Sequence, residues 1–571
     1  MGWLFPSLQH YRRAALRGDL IAGLTVWAVL VPEALAYASI AGVSPVVGLY
    51  AAPGALILYA ALGSSRELVT GPMSATAALS AATVAELVPV GGSRFVAMTA
   101  ALAITTGLAA LLAGLLRLGF VASFISEPVL KGFIVGLALT IIIGQVPKLL
   151  GISKGTGDFF QQLWHVITHL PSTSWITLLV GGLSLAVILA LRRGAPAVPG
   201  SLVAVVLGIV AVRALNLDAH GVSIVGPIKS GLPSFGAPDV HLRDFGALTA
   251  GGVGVMLVGF AEGLGAAKNY ASREHYEIDA NRELLGLGGA NIAAGLSAGM
   301  VVNGSLSKTA VNVSAGARTQ LAGLIVAALT ILTLLELTGL FEELPDSTLA
   351  AVVIAAVVEL VDYRALIELY RAHTERLGDQ FGLAARPDFI AAIAALLGVT
   401  IFDTLPGLFI GISISLILLV YRASRPYIAT LGREPGPQGH YSDMDRHPEN
   451  EPPAHVAVLR VESALYFANA DAVRARIMAA AAQEGITAVV IDAATVPFVD
   501  VTAARMLAAL ADDLRARRVE LRLARGVGQV RDLIRSVIVD PALTHFFPTV
   551  QEAVDAVSES APSREDLHPR R

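Results

Sequence analysis

Two stretches far apart in the chain carry polar residues suited to holding an anion. The first reads Ser65-Arg66-Glu67-Leu68-Val69-Thr70-Gly71-Pro72-Met73-Ser74-Ala75-Thr76, the second Val302-Asn303-Gly304-Ser305-Leu306-Ser307-Lys308-Thr309-Ala310-Val311-Asn312. Both are rich in small residues and lie in otherwise apolar surroundings. A helix that begins inside such a segment leaves its first N–H groups unpaired and carries the positive end of its dipole. Two such ends meeting make an anion site that needs no metal. Ser74, Thr76, Ser305 and Ser307 add hydroxyl donors, and Lys308 adds a full positive charge. Small residues also let helices pack closely. It is the matched pair, together with a lysine inside the membrane, that favours a functional reading.

Two carboxylates stand inside apolar runs: Glu33 in AVLVPEALAYA and Glu262 in LVGFAEGLGAA. A bare carboxylate in hydrocarbon costs at least a few kcal/mol, so each must be partnered, water-lined or protonated. Either is a candidate for coupling transport to a cation; a structural hydrogen bond to a helix end is the alternative. Asp403 sits at a span end and reads as interfacial. The twelve histidines read as scattered, so no metal is expected. No P-loop or serine-hydrolase machinery is identified, so neither an ATP-driven pump nor a hydrolase is expected, and no cofactor.

The elements that must position these residues are membrane helices. Of 571 residues, 54% are hydrophobic and only 15% charged, where a soluble chain carries about a quarter charged. The net charge of −4 offers nothing to nucleic acid, and the absence of cysteine removes thiol chemistry and thiolate metal sites. Arg12, Arg13 and Arg17 precede no short run with a cleavage site, so a leader peptide is not expected. Apolar stretches near 20–41, 44–62, 68–84, 97–117, 123–146, 173–191, 197–214, 247–267, 284–299, 304–316, 319–338, 347–361, 388–402 and 405–421 predict fourteen spans, several of them short. The third and tenth hold the two polar stretches, equivalent places if the spans form two halves of seven. Basic residues such as Arg66, Arg117, Arg192, Arg282, Arg318, Arg364, Arg376 and Arg422 fall in one set of loops, which places the N-terminus inside. Lys148, Lys154, Lys229 and Arg243 run against that bias. An even span count returns the C-terminus to the cytoplasm.

The composition changes after Arg425. Residues 1–18 read as a cytoplasmic N-terminus, 19–425 as a transmembrane domain, 426–454 as a polar, Pro-rich linker, 455–558 as a soluble α/β domain, and 559–571 as a disordered tail. Strands are predicted at 455–461, 487–492 and 519–524, and helices at 470–484, 501–517, 527–537 and 549–557.

These motifs resemble a known family. Arg17-Gly18-Asp19-Leu20 through Val31-Pro32-Glu33-Ala34-Leu35-Ala36-Tyr37-Ala38 is similar to the first span of the SulP sulfate permeases, bacterial relatives of the solute carrier 26 anion transporters. Gly48-Leu49-Tyr50, Gly63-Ser64-Ser65-Arg66, Gly71-Pro72-Met73-Ser74, Asn281-Arg282-Glu283-Leu284, Gly289-Ala290-Asn291-Ile292 and Gly304 to Asn312 continue the likeness. The C-terminal part resembles a STAS domain. The likeness implies fourteen spans in two inverted seven-span repeats, as in uracil permeases, with a core bundle that moves against a gate bundle in a homodimer. It places the anion at Met73, Ser74, Gly304, Ser305, Leu306 and Ser307, and a cation-coupling acid at Glu262. Lys308 stands where the family often has Arg, Glu33 where it often has Gln, and Ala266 where sodium-coupled members carry a hydroxyl. That last departure favours proton over sodium coupling. In STAS domains of the anti-sigma-antagonist type a phosphorylatable residue follows an Asp, which corresponds to Thr502 after Asp500. The plainer reading has Asp500 capping the helix that starts at Val501.

The function expected is proton-coupled secondary transport of an inorganic anion across the cell membrane. Sulfate leads on family frequency. Bicarbonate, a dicarboxylate or chloride, sodium coupling, exchange and an uncoupled channel are the alternatives; a membrane-anchored receptor is the weakest.

Overall fold

The computed structural model describes residues 4–9, 11–120, 126–155, 157–195, 198–228, 230–358, 361–372, 386–402, 404–436, 440–538 and 540–560. Lys229, Arg376, Asp403 and the charged tail beyond residue 560 lie outside the described residues. The chain divides into two compact units, Met1–Ser415 and Leu416–Arg571.

Each of the fourteen apolar stretches carries a helix, and eight helices are long and apolar enough to cross a membrane. Helices α1 (Leu16–Ile40), α2 (Pro45–Leu62), α4 (Gly92–Leu115), α9 (Leu242–Arg273), α10 (Ala280–Leu296) and α12 (Leu321–Leu332) pack together around α3 (Ser74–Ala85) and α11 (Leu306–Ser314). A second bundle contains α5 (Glu127–Leu150), α6 (Phe159–His169), α7 (Trp175–Gly194), α8 (Gly200–Leu215), α13 (Asp346–Val358), α14 (Tyr363–Arg371) and α15 (Pro387–Phe402). Helix α16 (Thr404–Ala423) closes the apolar series. The stretches around α6 and α14 read as loops in the sequence because nine to eleven residues are too few to span. In α6, Phe160, Trp164 and Ile167 form one exposed apolar stripe.

Close packing in the first bundle depends on glycines seven residues apart. A β-carbon at Gly107 of α4 would stand 2.7 Å from the Gly288 carbonyl of α10, and one at Gly295 would stand 2.6 Å from the Ala100 carbonyl. Small residues at this spacing bring two helix backbones together where lipid gives no hydrophobic drive.

The two interrupted spans are built alike. Strand β1 (Val69–Gly71) leads to α3, and strand β2 (Asn303–Ser305) leads to α11. They pair antiparallel with Val69 opposite Ser305, Thr70 opposite Gly304 and Gly71 opposite Asn303.

The second unit is an α/β sheet. Strands β3 (Ile428–Arg433), β4 (Tyr441–Asp443), β5 (Val456–Val461), β6 (Ala488–Asp492), β7 (Glu520–Ala524) and β8 (Phe546–Phe547) lie in the order β4-β3-β5-β6-β7-β8. From β5 to β8 the pairing is parallel; β3 runs antiparallel to both its neighbours. The segment read as a linker therefore holds two strands. β3 is recruited by the edge of β5, a long-range pairing that composition does not signal. Helices α17 (Ala470–Ala481), α18 (Val501–Ala516) and α19 (Gly528–Val537) cover one face, with short α20 (Pro541–Thr544) beyond. Helix α21 (Val550–Ser560) covers the other face. Alternation along β5 shows this: Ala457, Leu459 and Val461 face one core, Val456 and Val458 the other.

At the end of β6 the wholly buried Asp492 accepts from Arg460 Nε at 2.9 Å and from Arg525 Nε and Nη2 at 2.9 and 2.8 Å. Burial pushes this carboxyl up, but the hydrogen bonds and charges of Arg525 and Arg460 outweigh it and hold Asp492 below the ordinary 3.8. Its stabilising effect is therefore complete above that value and lost only as pH falls through the lowered one. Asp492→Ala leaves two partly exposed arginines without their shared carboxylate and is expected to cost about 1–3 kcal/mol. Hydrogen exchange of the β6 amides in the full-length protein measures this: protection drops in the variant at neutral pH, and wild-type protection is unchanged down to mildly acidic pH.

Candidate functional site

The starts of α3 and α11 define the site. The strands run in opposite directions, so the helices leave the ladder on opposite sides and their N-terminal ends point back toward one mid-point. Met73 occupies the N-cap of α3 without a side-chain cap, although Ser74, Ala75 and Thr76 of its first turn are buried. Ser305 caps α11, its Oγ accepting from Lys308 N at 3.2 Å and lying 3.2 Å from Ser307 Oγ. Leu306 is half exposed (51%) and Ser307 is exposed, so this end of α11 opens outward while Gly304 and Ser305 stay buried. First-turn N–H groups and hydroxyls converging in this way suit an anion.

The structure joins two residues that the sequence treated separately. Lys308 Nζ lies 2.8 Å from Glu33 Oε2 and donates to the Pro72 carbonyl at 3.2 Å. It stands 5.1 Å from the Tyr37 ring centre. Lys308 is 1% exposed and Glu33 4%. The cation expected to meet the anion is thus balanced by the carboxylate expected to couple, and both hold α1, α3 and α11 together. Neither residue type nor spacing showed the pairing, because 275 positions separate them in the chain.

Glu262 lies on α9, half buried beside β2, and accepts from Asn303 Nδ2 at 3.4 Å. Asn303 Oδ1 accepts from Gly304 N at 2.7 Å. Glu262 therefore reaches the anion segment through Asn303, a residue quoted in the motif but given no role. Ala266, one turn on, is buried and brings no ligand oxygen.

Further residues hold the broken spans. Asn291 of α10 pairs with Val302 in both directions, at 2.9 and 3.0 Å. Thr309 Oγ1 accepts from Val69 N, Asn312 donates to the Glu67 carbonyl, and Gln320 donates to the Ser65 and Leu68 carbonyls. Glu283 accepts from Ser64 N, Ser64 Oγ, Ser65 N and Tyr59 OH at 2.6–3.0 Å. The motifs Gly63-Ser64-Ser65-Arg66 and Asn281-Arg282-Glu283-Leu284 thus meet in space. A polar residue on an otherwise apolar helix was the available signal.

Toward the far end of α3, a cavity of about 540 Å³ separates the two bundles. Ala78, Ala82 and Ala85 line one wall, with Thr140, Gly144 and Gln145 of α5 opposite.

Two patterns passed over in the sequence are resolved here. His165 and His169 do stand four apart on α6, their rings stacked at 4.0 Å, but each ring contacts a carbonyl, of Ser153 and His165 respectively. Among the described residues no group of three or more metal-ligating side chains forms. Gly295-Leu296-Ser297-Ala298-Gly299 has the spacing of a nucleophile elbow, but Ser297 sits at the end of helix α10 rather than at a strand-to-helix turn. In the soluble unit, Asp500 Oδ1 accepts from Ala503 N at 2.7 Å and Oδ2 from Phe467 N at 2.9 Å, so Asp500 does cap α18. Thr502 is exposed in the first turn.

A bundle with paired half-helix ends and an appended α/β unit defines a membrane transporter, not an enzyme. Residues 16–377 match the sulfate permease family and residues 447–553 match the STAS domain. The chain belongs to the sulfate permease family. It is 36% identical over 97% of its length to a Mycobacterium tuberculosis protein named "Probable sulfate transporter", covering 98% of that protein. It is 31% identical over 91% of its length to high affinity sulfate transporter 1 of Stylosanthes hamata, covering 81% of it. Its fold matches the murine solute carrier 26 member A9 anion transporter in the inward-facing state with a TM-score of 0.87, at 22% identity, over 98% of this chain and 94% of that one. It matches the transmembrane domain of a cyanobacterial bicarbonate transporter with a TM-score of 0.61, at 24% identity, over 70% of this chain and 98% of that one.

Removing one member of a buried ion pair strands the other. Lys308→Met is expected to cost about 3–5 kcal/mol, seen as a lower melting temperature in detergent. Lys308→Met with Glu33→Gln recovers most of that loss. Equal melting temperatures for wild type and Lys308→Met mean the pair contributes little.

Proposed function

We propose that this chain is a secondary active transporter of inorganic anions, with sulfate the leading substrate. The carrying observation is the pair of helix N-termini aimed at one point, with the buried start of α3 lacking any side-chain cap. The anion binds among Met73, Ser74, Gly304, Ser305, Leu306 and Ser307. Lys308 contributes positive potential from behind the site while Glu33 keeps the segment neutral overall. The relatives that align over most of this chain are named for sulfate, which supports sulfate over bicarbonate.

Proton coupling follows from Glu262. It lies beside the anion segment with a single hydrogen-bond partner among the described residues, and Ala266 withholds the oxygen that sodium coordination asks for. The first bundle carries every proposed site residue and shifts as a unit against the second, its small-residue wall of Ala78, Ala82 and Ala85 sliding past α5. The fourteen stretches act as fourteen spans in two inverted halves, within a homodimer in the cell membrane, the N-terminus and soluble domain in the cytoplasm. Thr502 is the residue open to phosphorylation in that domain.

Uptake of radiolabelled sulfate into proteoliposomes, with imposed proton or sodium gradients, tests this reading. Wild-type protein accumulates sulfate on an inward proton gradient and not on a sodium gradient. Glu262→Gln abolishes that accumulation. Downhill flux that no gradient drives points to a channel; preferential uptake of bicarbonate overturns sulfate.

A further inference from the structure

Asn303 stands between the coupling carboxylate and the anion segment, and it has two different hydrogen-bonding faces. Its Nδ2 donates to Glu262 Oε2, and its Oδ1 accepts from Gly304 N. It is 1% exposed. β-Carbons at Gly259 and Gly263, on either side of Glu262, would come within 3.2 and 3.1 Å of the Asn303 amide, so these glycines let the amide lie flat against α9. The Gly304 N–H donates to the neighbouring Asn303 side chain, and Gly304 stands opposite Thr70 in the strand pair.

An ionised carboxylate only accepts hydrogen bonds, whereas a protonated one also donates. With Glu262 ionised, the Asn303 amide must turn its NH₂ toward it, which leaves Oδ1 to occupy Gly304 N–H. With Glu262 protonated, its new O–H seeks an acceptor, and the Asn303 amide already in contact offers its Oδ1 once it turns. The amide then turns over, its NH₂ meets Gly304 N–H donor to donor, and Gly304 N–H goes to the anion instead. We propose that Asn303 is a positioning residue that converts protonation of Glu262 into one additional hydrogen-bond donor for the anion. The proton arrives from water at Glu262 Oε2 and leaves by the same oxygen after the anion is released; no other bond is made or broken. This proposal rests on the reading of Glu262 as the proton carrier and Gly304 as part of the anion site.

Charged groups on the elements packed against α9 do not compete. Glu283 of α10 is occupied by Ser64, Ser65 and Tyr59, Arg282 by the Leu62 carbonyl, and Lys308 of α11 by Glu33. Arg94 lies in the first turn of α4, Lys268 is exposed nearly two turns along α9, and α3 carries no charge from Ser74 to Ala85. Among the described residues Asn303 is the one hydrogen-bond partner of Glu262.

The test measures the sulfate KM of full-length protein in proteoliposomes from mildly acidic to mildly alkaline pH. In the wild type KM rises with pH, by about tenfold overall, the worth of one hydrogen bond to a charged ligand. Asn303→Ala leaves Gly304 N–H free at every pH, so KM stays near the wild-type acidic value, loses its pH dependence, and proton-driven accumulation fails. Asn303→Leu, close in size but without donor or acceptor, likewise leaves Gly304 N–H free, so KM stays near the acidic wild-type value and equally flat. A merely structural role raises KM in both variants and keeps the pH dependence, which overturns the proposal. If Asn303→Ala does not assemble, the slope in Asn303→Leu decides. If Glu262→Gln keeps the wild-type pH dependence, the underlying reading of Glu262 fails instead.

Discussion

Extended backbone placed inside an apolar helical bundle must find hydrogen-bond partners within the protein, because no water is there to supply them. The pair β1–β2 meets part of this demand, each strand serving the other across three residues. The remainder falls to side chains. Asn291 treats Val302 as a strand neighbour would, Thr309 and Asn312 serve the approach to β1, and Gln320 takes two carbonyls at once. These contacts fix where α3 and α11 begin. Helix ends that would otherwise fray or be capped are held at a set place and direction, and the proposed anion site rests on that placement.

Charge is handled by the same economy of partners. A lysine and a glutamate, each costly alone in this setting, are buried as a contact pair beside the Pro72 carbonyl. Asp19 is likewise wholly buried, and its carboxylate accepts from Arg318 N, Thr319 N and Thr319 Oγ1, which ties the start of α1 to the approach of α12. Glu283 does the same between α2 and α10. Glu262 differs: among the described residues its one hydrogen bond comes at 3.4 Å from an amide that is itself engaged with the backbone. Three acids are committed to structure, and one is left able to change state. That contrast supports a coupling role for Glu262 rather than Glu33.

Every residue of the proposed site lies on the first bundle, as the proposed movement of that bundle requires. Across the cavity the second bundle presents Thr140, Gly144 and Gln145 together with the larger Phe159 and Phe402 and the charged Lys154 and Asp158, whereas the facing wall of α3 is alanine.

The sequence by itself determined the membrane class, because 54% hydrophobic residues with 15% charged leave no soluble alternative. It also determined the fourteen helical stretches and the two interrupted ones, since hydropathy and small-residue runs are local signals. The three central strands of the soluble unit and the cap at Asp500 were legible for the same reason: alternation and capping act over a few residues. Tertiary structure decided the rest. That Lys308 answers Glu33, that Asn303 joins Glu262 to Gly304, that Glu283 gathers the Ser64–Ser65 turn, and that β3 and β4 leave the presumed linker for the sheet all depend on contacts between distant positions. Residue type says that a buried carboxylate needs a partner. Only the packing of the helices says which partner stands within reach.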